Sequence, residues 1–277
     1  MRAALQAVLC LFAVLLAPLS PAAAQTSWEQ IERSGVLRVG VIPARPPYFW
    51  QEDGQWVGFS AVMGRDVARA LSVAMDKEIR VEWAITSWTS VILDIQANRL
   101  DVFFGLSFAE ERRRAIHLVG PLYSLPNVAI NARNFSPGDT WDSYNQAGTR
   151  VAVVMGTTDE QAARRFLPNA QIRSLRGMAE AVLDIQSGNA STMITTVLTG
   201  LGALKENRSL GSLTVLRPVQ SLPSFGGTRR DSDGRLATFL QGWTFAYRDS
   251  GRARTVILEA MNRFGLDVNT IPPEVQF

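Results

Sequence analysis

The chain has 277 residues, and its 28 lysine and arginine residues barely outnumber its 25 aspartate and glutamate residues, giving a formal charge of +3. So small an excess argues against a nucleic-acid-binding surface, and the one basic run, residues 112–114, has no aromatic residues interleaved with it. A single histidine and a single cysteine leave mainly oxygen ligands for a metal ion, so neither a metal nor a cofactor is expected.

The N-terminal residues have the layout of a secretory signal peptide. Arg2 supplies a positive charge, residues 3–16 form an apolar stretch, Pro18 and Pro21 follow, and a run of alanines ends at Ala24. The apolar stretch is shorter than the roughly 20 residues that a membrane span needs. We therefore predict export to the periplasm with cleavage after Ala24.

The only cysteine in the sequence, Cys10, lies within the apolar stretch rather than at the predicted cleavage point, so no lipid anchor is expected. A mature chain that starts at Gln25 would contain no cysteine, and a hydrophobic core rather than disulfides would have to stabilise it. Residues 25–277 contain no second apolar segment of membrane-spanning length, so we do not expect the mature protein to be embedded in a membrane.

Strand and helix signals alternate over the first half of the mature chain. Apolar runs such as 37–42 are typical of buried strands, whereas the apolar residues after Ser60 recur at helical spacing. Ser60 and Ser87 stand where helix N-caps are expected, with Trp88 in the first turn of the second helix. The predicted elements are a strand at 37–42, a helix from 60, a strand at 79–83, a helix from 87 and a strand at 101–106. This order indicates an α/β sheet with helices on its faces.

The same order of signals restarts in the second half. The predicted elements are a strand at 149–154, a helix from Thr158, a strand at 171–175, a helix at 178–186 and a strand at 192–195. The tetrapeptide Leu-Asp-Ile-Gln ends a predicted helix in each half, at 93–96 and at 183–186. Its matching position indicates two similarly built α/β lobes.

Two extended segments, 120–129 and 219–225, separate the halves. The C-terminal stretch has helix signals at 232–246 and 252–264 but too few strands for a lobe, so we expect it to return to the first lobe. The predicted organisation is a signal peptide at 1–24, the first part of lobe 1 at 25–126, lobe 2 at 127–221 and a return to lobe 1 at 222–277. Two crossings make a hinge, with a ligand cleft where the strands end.

Several short motifs occur in an order and spacing that resemble one known family. They are residues 37–42, Pro46-Pro47-Tyr48, Gly58-Phe59, Trp88, Gly105-Leu106-Ser107, Glu111-Arg112 and Pro121-Leu122-Tyr123. In these motifs the chain is similar to the polar amino-acid-binding proteins of ABC importers, solute-binding family 3. The resemblance implies a two-lobed type II periplasmic binding protein fold, a small carboxylate-bearing ligand such as an amino acid or a relative, an ABC importer permease as partner, and a monomer.

Arg112 is the candidate for holding the ligand's carboxylate, because a guanidinium presents a rigid set of donors that can make two parallel bonds to a carboxylate. The resemblance places Arg112 in the ligand site, whereas Arg113 and Arg114 are interpreted as solvated. It also implies that Gly105 and Ser107 offer a backbone carbonyl and a hydroxyl to the ligand's ammonium and carboxylate.

The resemblance further implies that Trp88 stacks on the ligand, although a tryptophan on an amphipathic helix is also typical of a core. Gly156, Thr157 and Thr158 open the first helix of lobe 2, whose free N–H groups and dipole suit a carboxylate. Lobe 2 would then supply half of a clamp that closes on the ligand. Tyr48 completes the predicted set on the lobe 1 side.

Four positions depart from the family's pattern. Thr196 stands where the family usually has an aspartate that pairs with the ligand's α-ammonium, and Arg45 stands where an aromatic residue is common. Ile42 replaces a residue that is often acidic in binders of basic amino acids, and Ala109 replaces a threonine. We expect Thr196 and Arg45 to line the cleft, and we expect the cleft to have lost negative charge. Lysine and arginine are then disfavoured as ligands.

A different class of function stays open. Periplasmic cyclohexadienyl dehydratases resemble the same family and bind a dicarboxylate, which an extra arginine and a missing aspartate would suit. General acid catalysis needs a carboxylic acid in the cleft with a raised pKa, and the sequence points to none. His117, the only histidine, is interpreted as structural. We therefore expect a binding protein rather than an enzyme.

Overall fold

The structure, a computed structural model, describes residues 25–275, so the predicted signal peptide lies outside the described residues. The first lobe begins with α1 (Ser27–Ser34), β1 (Val36–Val41), β2 (Trp50–Glu52), β3 (Gln55–Val57), α2 (Phe59–Ala74), β4 (Arg80–Ile85), α3 (Val91–Gln96), β5 (Phe103–Ser107) and α4 (Glu110–Ala115). β1 and β4 are parallel neighbours, and a bridge between Val39 and Val102 sets β5 beside β1. Since Leu37, Val39 and Val41 are fully buried, this sheet forms the middle of the lobe.

A long strand, β6 (His117–Asn131), leads from the first lobe into the second. The second lobe contains α5 (Trp141–Tyr144), β7 (Arg150–Val154), α6 (Thr158–Phe166), β8 (Gln171–Leu175), α7 (Met178–Gln186), β9 (Thr192–Thr196), α8 (Val197–Glu206) and β10 (Leu213–Val215). β7 lies between β8 and β9 and is parallel to both. The β-α-β order predicted for this half is confirmed, with parallel strands joined by helices.

The two sheets meet along β6. Up to Pro126, β6 pairs with β11 (Ser221–Thr228), and β11 also pairs with β5. From Asn127 onward, β6 pairs with β9 and β10 instead. The change of partner falls between residues 126 and 127, and the predicted lobe boundaries stay predictions. One strand thus belongs to both lobes and joins them at the hinge.

The C-terminal segment lies on the first lobe. It consists of α9 (Arg235–Asp249), α10 (Arg252–Phe264) and a short 3₁₀ turn (Val268–Thr270). The ring of Trp243 on α9 lies 5.7 Å from the ring of Phe104 on β5. The hydroxyl of Tyr247 donates a hydrogen bond of 2.7 Å to the carboxylate of Asp66 on α2. The helix α9 begins at Arg235, slightly later than the predicted start at 232.

The predicted N-cap at Ser60 is wrong. The helix α2 begins at Phe59, after Gly58, and Ser60 is buried within its first turn. Gly58 has a φ of +106°, which allows the chain to turn sharply into the helix. The amide of Phe59 then donates to the carbonyl of Pro47, so backbone groups replace a side-chain cap at this helix end.

The predicted helix start at Ser87 is also wrong, because α3 begins only at Val91. The carbonyl of Ser87 accepts the amide of Val91 at 2.9 Å, and the hydroxyls of Ser87 and Ser90 lie 2.9 Å apart. Hydroxyl side chains that bond to one another and to nearby backbone compete with helix formation. Trp88 therefore lies in a turn ahead of the helix.

The repeated tetrapeptide occupies equivalent places in the two lobes, at the ends of α3 and α7. Ile95 and Ile185 are buried, whereas Leu93 and Leu183 are exposed, so each copy turns the same face to its own sheet. The helix α8 was not predicted, because it follows β9 directly, without a turn that would mark its start. Within residues 25–275, no helix is long and apolar enough to cross a membrane.

Candidate functional site

The ends of the central strands of both lobes face one another across a narrow gap of about 20 Å³. Its lining residues are Arg45, Trp88, Gly105, Ser107, Arg112, Thr157, Thr158, Asp159 and Thr196. Of the predicted ligand-binding residues, only Tyr48 is not among them. An adjoining cavity of about 300 Å³ shares Arg45, Trp88, Thr157 and Asp159 with this gap. We call the two spaces together the cleft.

Arg112 is buried at the centre of the gap, with 5% of its surface exposed. It is the third residue of α4, and its two terminal nitrogens donate 3.0 Å bonds to the carbonyls of Ser107 and Gly156. Ser107 belongs to lobe 1 and Gly156 to lobe 2, so this side chain joins the lobes. Burial lowers the pKa of Arg112 from its ordinary value, because desolvation disfavours the charged form.

The neighbouring arginines differ from Arg112 as predicted from the sequence. Arg113 and Arg114 are largely exposed, and both pair with Glu110 on the same helix, at 2.7 Å and 3.1 Å. Pairs of this kind on a solvated helix face contribute little to stability. Arg113 therefore offers a matched control for any test of Arg112.

The first turn of α6 faces the gap from lobe 2. The hydroxyl of Thr157 accepts the amide of Glu160 at 3.2 Å and donates to the carbonyl of Val154 at 2.7 Å, which caps the helix. Among residues 25–275, the backbone N–H groups of Thr158 and Asp159 have no hydrogen-bond partner. Free N–H groups and the helix dipole together favour an anion here.

Arg45 lies between two aromatic rings on the lobe 1 side. Its guanidinium carbon is 3.6 Å from the ring centre of Tyr48 and 4.5 Å from that of Trp88. Tyr48 is only 1% exposed and lies behind Arg45, so it supports the arginine rather than lining the cleft. Burial raises the pKa of Tyr48. Within the described part of the chain, Nη1 of Arg45 is buried and has no hydrogen-bond partner.

Trp88 and Gly105 shape the same wall. The guanidinium carbon of Arg112 lies 5.8 Å from the ring centre of Trp88, so this ring contacts both cleft arginines. Gly105 has a φ of +106°, and a Cβ there would come within 3.5 Å of Nη1 of Arg45. The glycine thus leaves space beside the buried nitrogen.

Asp159 is the residue of this site that sequence reasoning missed. It is 8% exposed, and its Oδ1 accepts a 2.7 Å bond from Nδ2 of Asn127. Burial raises the pKa of Asp159 to about 6, an effect that the nearby Arg45 partly opposes. Asp159 therefore adds a carboxylate to the cleft that the expectation, drawn from Ile42 and Thr196, did not include. Acidic residues are common in the first turn of a helix, so the position of Asp159 alone did not point to the cleft.

Thr196 lies at the end of β9, where the family pattern led us to look for an aspartate. It is 9% exposed, and its hydroxyl lies 3.0 Å from that of Thr199. Thr196 pairs in register with Asn127, the residue that holds Asp159. The carboxylate of Asp159 therefore lies near Thr196, the position at which the family usually has an aspartate.

The larger cavity extends away from the charged gap. Apolar residues contribute much of its lining, among them Ile42, Pro43, Val154, Met178 and Ala179. Arg176 also lines this cavity and is exposed to solvent. A ligand whose charged head lies in the gap would have room for its remaining part here.

The model of the bacterial extracellular solute-binding proteins, family 3, matches residues 37–252. A probable histidine-binding protein of Campylobacter jejuni is 25% identical over 178 residues. These residues make up 64% of this chain and 66% of the relative, so the chain spans just under two thirds of that relative's length. A cyclohexadienyl dehydratase of Pseudomonas aeruginosa is 28% identical over 200 residues, 71% of this chain and 72% of the relative.

The fold is also that of solved structures. The solute receptor for L-cysteine of Neisseria gonorrhoeae has a TM-score of 0.77 at 18% identity, over 91% of this chain and 100% of that one. The two-lobed α/β fold expected from the sequence is thereby confirmed. The chain belongs to the bacterial extracellular solute-binding proteins of family 3.

Proposed function

We propose that the protein captures a small carboxylate-bearing solute, an amino acid or a close relative, in the periplasm and delivers it as a monomer to an ABC importer. The observation that carries this proposal is the buried Arg112, which bonds to both lobes and lies opposite the free N–H groups that open α6. A buried guanidinium needs an anionic partner to offset its desolvation.

A carboxylate in the gap would accept bonds from Arg112 on one side and from the amides of Thr158 and Asp159 on the other. Because these donors come from different lobes, ligand binding and lobe closure would be coupled. The side chain of Trp88 would form the apolar wall beside the ligand's backbone. Delivery to an importer is what the family resemblance implies.

A second candidate is a dehydratase-like activity, and the raised pKa of Asp159 favours it. A carboxyl group with a pKa of about 6 is partly protonated near neutral pH, and a protonated acid can supply a proton to a departing hydroxyl. The similarity to a cyclohexadienyl dehydratase supports testing this idea. We propose binding without turnover, because Asp159 is also explained as a partner for a ligand's ammonium.

A thermal-shift screen of the purified mature protein tests the proposed function. The panel contains amino acids, keto acids and dicarboxylates. A ligand at a hundred times its dissociation constant should stabilise the protein by about 2.7 kcal/mol. We expect at least one amino acid to stabilise the wild type but not the Arg112→Ala variant. The Arg113→Ala variant should be stabilised as much as the wild type. An equal response of both variants would contradict the proposal.

The same preparation separates the two candidates. Prephenate and arogenate are incubated with the protein and the products are followed by chromatography. Binding without product formation supports a transport role. Catalytic turnover of either compound that Asp159→Asn abolishes would establish the enzyme instead.

A further inference from the structure

The charged groups of the cleft form an unbalanced set. Arg45 and Arg112 each place a guanidinium carbon near the ring centre of Trp88, at 4.5 Å and 5.8 Å. Asp159 is the one carboxylate among the described residues that line the gap and the adjoining cavity. A further arginine, Arg176, lines the cavity but is exposed, so solvent screens its charge.

Asp159 attracts both guanidinium groups from a distance, but one carboxylate cannot balance two cations. Within the described ranges, no ion pair joins Asp159 to Arg45 or to Arg112. Asp159 is held instead by Asn127, and Arg112 bonds to backbone carbonyls. Nη1 of Arg45 is buried and has no hydrogen-bond partner among residues 25–275. Glu111 adjoins Arg112 in the chain and attracts its charge, but Glu111 is exposed and lines neither the gap nor the cavity, so solvent screens that attraction.

A zwitterionic ligand with one carboxylate and one ammonium would leave this set with an excess positive charge. Isolated buried charge is costly, whereas a partner of opposite sign recovers much of that cost. Two cations and one anion are complemented by two anions and one cation. This pattern of charges is that of an amino acid with an acidic side chain.

We propose that the cleft is built for an amino acid carrying two acidic groups, with Arg112 holding the α-carboxylate, Asp159 the ammonium and Arg45 the second acidic group. This inference rests on the proposed binding function. It assigns to Asp159 the ammonium-binding role that the family resemblance placed at residue 196, and it gives the buried nitrogen of Arg45 its partner.

The positions of the three groups support this assignment. Arg112 lines only the narrow gap, next to the free N–H groups of α6, whereas Arg45 and Asp159 line both the gap and the cavity. A ligand with its α-carboxylate at Arg112 would therefore pass Asp159 and reach Arg45 as it extends into the cavity. The bond from Asn127 fixes the carboxylate of Asp159 along this path.

Calorimetry with matched ligands tests the proposal. The mature protein is titrated with L-aspartate, L-glutamate and L-2-aminoadipate, with L-glutamine as the neutral counterpart and glutarate as the counterpart without an ammonium. We expect an acidic amino acid to bind about thirtyfold or more tightly than either counterpart, the scale on which losing one partner of a buried charge pair acts. Asp159→Asn should remove the preference for the acidic amino acid over glutarate. Arg45→Gln should remove its preference over glutamine.

The Arg113→Ala variant is the control, and its ligand preferences should equal those of the wild type. Tighter binding of a neutral or basic amino acid than of every acidic one would overturn this inference and leave the proposed function standing. Binding of glutarate as tightly as glutamate would overturn the role of Asp159. Failure of every amino acid to bind would contradict both the inference and the proposed function. The wild-type ligand series decides the matter even if a variant does not fold.

Discussion

Nδ2 of Asn127 donates a 2.7 Å hydrogen bond to Oδ1 of Asp159. Asn127 is the residue at which β6 changes partner from one sheet to the other, and it pairs in register with Thr196. The bond therefore ties the first turn of α6 to the hinge strand. It also holds a buried carboxylate beside two arginines, which makes Asp159 the one group in the gap whose charge can change near neutral pH.

We expect ligand affinity to depend on pH through Asp159. The pKa of this carboxyl is raised to about 6, so protonation competes with binding of an ammonium below that pH. The dissociation constant should rise by about tenfold for each pH unit below the pKa and level off above it. Calorimetry across this range measures the slope, which Asp159→Asn should abolish. Affinity that increases as the pH falls would contradict the assignment.

The stability of the ligand-free protein should depend on pH with the opposite sign. Because the pKa of Asp159 is raised from 3.8 to about 6, the folded state holds a proton that the unfolded state releases. The free energy of unfolding should fall as the pH rises between these values, by on the order of 1–3 kcal/mol. Asp159→Asn should therefore be more stable than the wild type at neutral pH, but not at acidic pH. Denaturation in urea at both pH values measures the free energy of unfolding of the two proteins. The same difference between wild type and Asp159→Asn at both pH values would contradict this reasoning.

Gly202 sets how closely the lobes approach. A Cβ at Gly202 on α8 would collide with the carbonyl of Pro46 in lobe 1. Gly202→Ala should therefore hinder closure and weaken ligand binding by about tenfold to a hundredfold, the range that overpacking implies. Because opening of the lobes would relieve this collision, we expect the free energy of unfolding to change little. Calorimetry measures the loss of affinity. Small-angle scattering with and without ligand measures whether the lobes still close.

Gly242→Ala is the matched control for this prediction. Gly242 also lies within a helix, and none of the neighbouring atoms that the structure describes lies within 4 Å of the position that a Cβ would take. The substitution should leave ligand affinity unchanged, and the higher helix propensity of alanine should stabilise α9 slightly. A loss of affinity equal to that of Gly202→Ala would indicate that lobe contact is not the cause.

Lobe 1 should depend strongly on the ion pair between the partly buried Arg38 and the fully buried Asp101. Asp101 is fully buried and pairs with Arg38 at 2.6 Å, and it also accepts the amide of Arg38 at 2.7 Å. Asp101→Ala should destabilise the protein by about 3–5 kcal/mol, because it leaves a guanidinium without its partner. Glu110→Ala, which removes an exposed pair with Arg113, should have little effect on the urea midpoint.

Much of the fold could be predicted because its elements have clear periodicity. The bounds of β8, α7 and α10 agree with the patterns at 171–175, 178–186 and 252–264. The start of α2 and that of α3 were misplaced, since a backbone turn at Gly58 and hydroxyl bonds around Ser87 replaced the expected caps. Such bonds depend on the neighbouring chain and cannot be judged from spacing alone.

The cleft was predicted in part, from residues that follow strands or open a helix. Arg112, Trp88 and Thr157 lie together in the gap, as the family pattern suggested. The role of Tyr48 behind Arg45 and the burial of Asp159 depend on how the lobes meet. A sequence pattern places a residue on its own element, but it does not show which element of the other lobe that residue will face.

The central claim is that Arg112 holds the carboxylate of a bound amino acid. The most direct test is calorimetry of the best ligand from the thermal-shift screen with wild type, Arg112→Ala and Arg113→Ala, after circular dichroism has verified that all three are folded. Removing the partner of a buried charge should weaken binding by about thirtyfold or more in Arg112→Ala, with Arg113→Ala equal to the wild type. Wild-type affinity in Arg112→Ala, or an equal loss in both variants, would contradict the account.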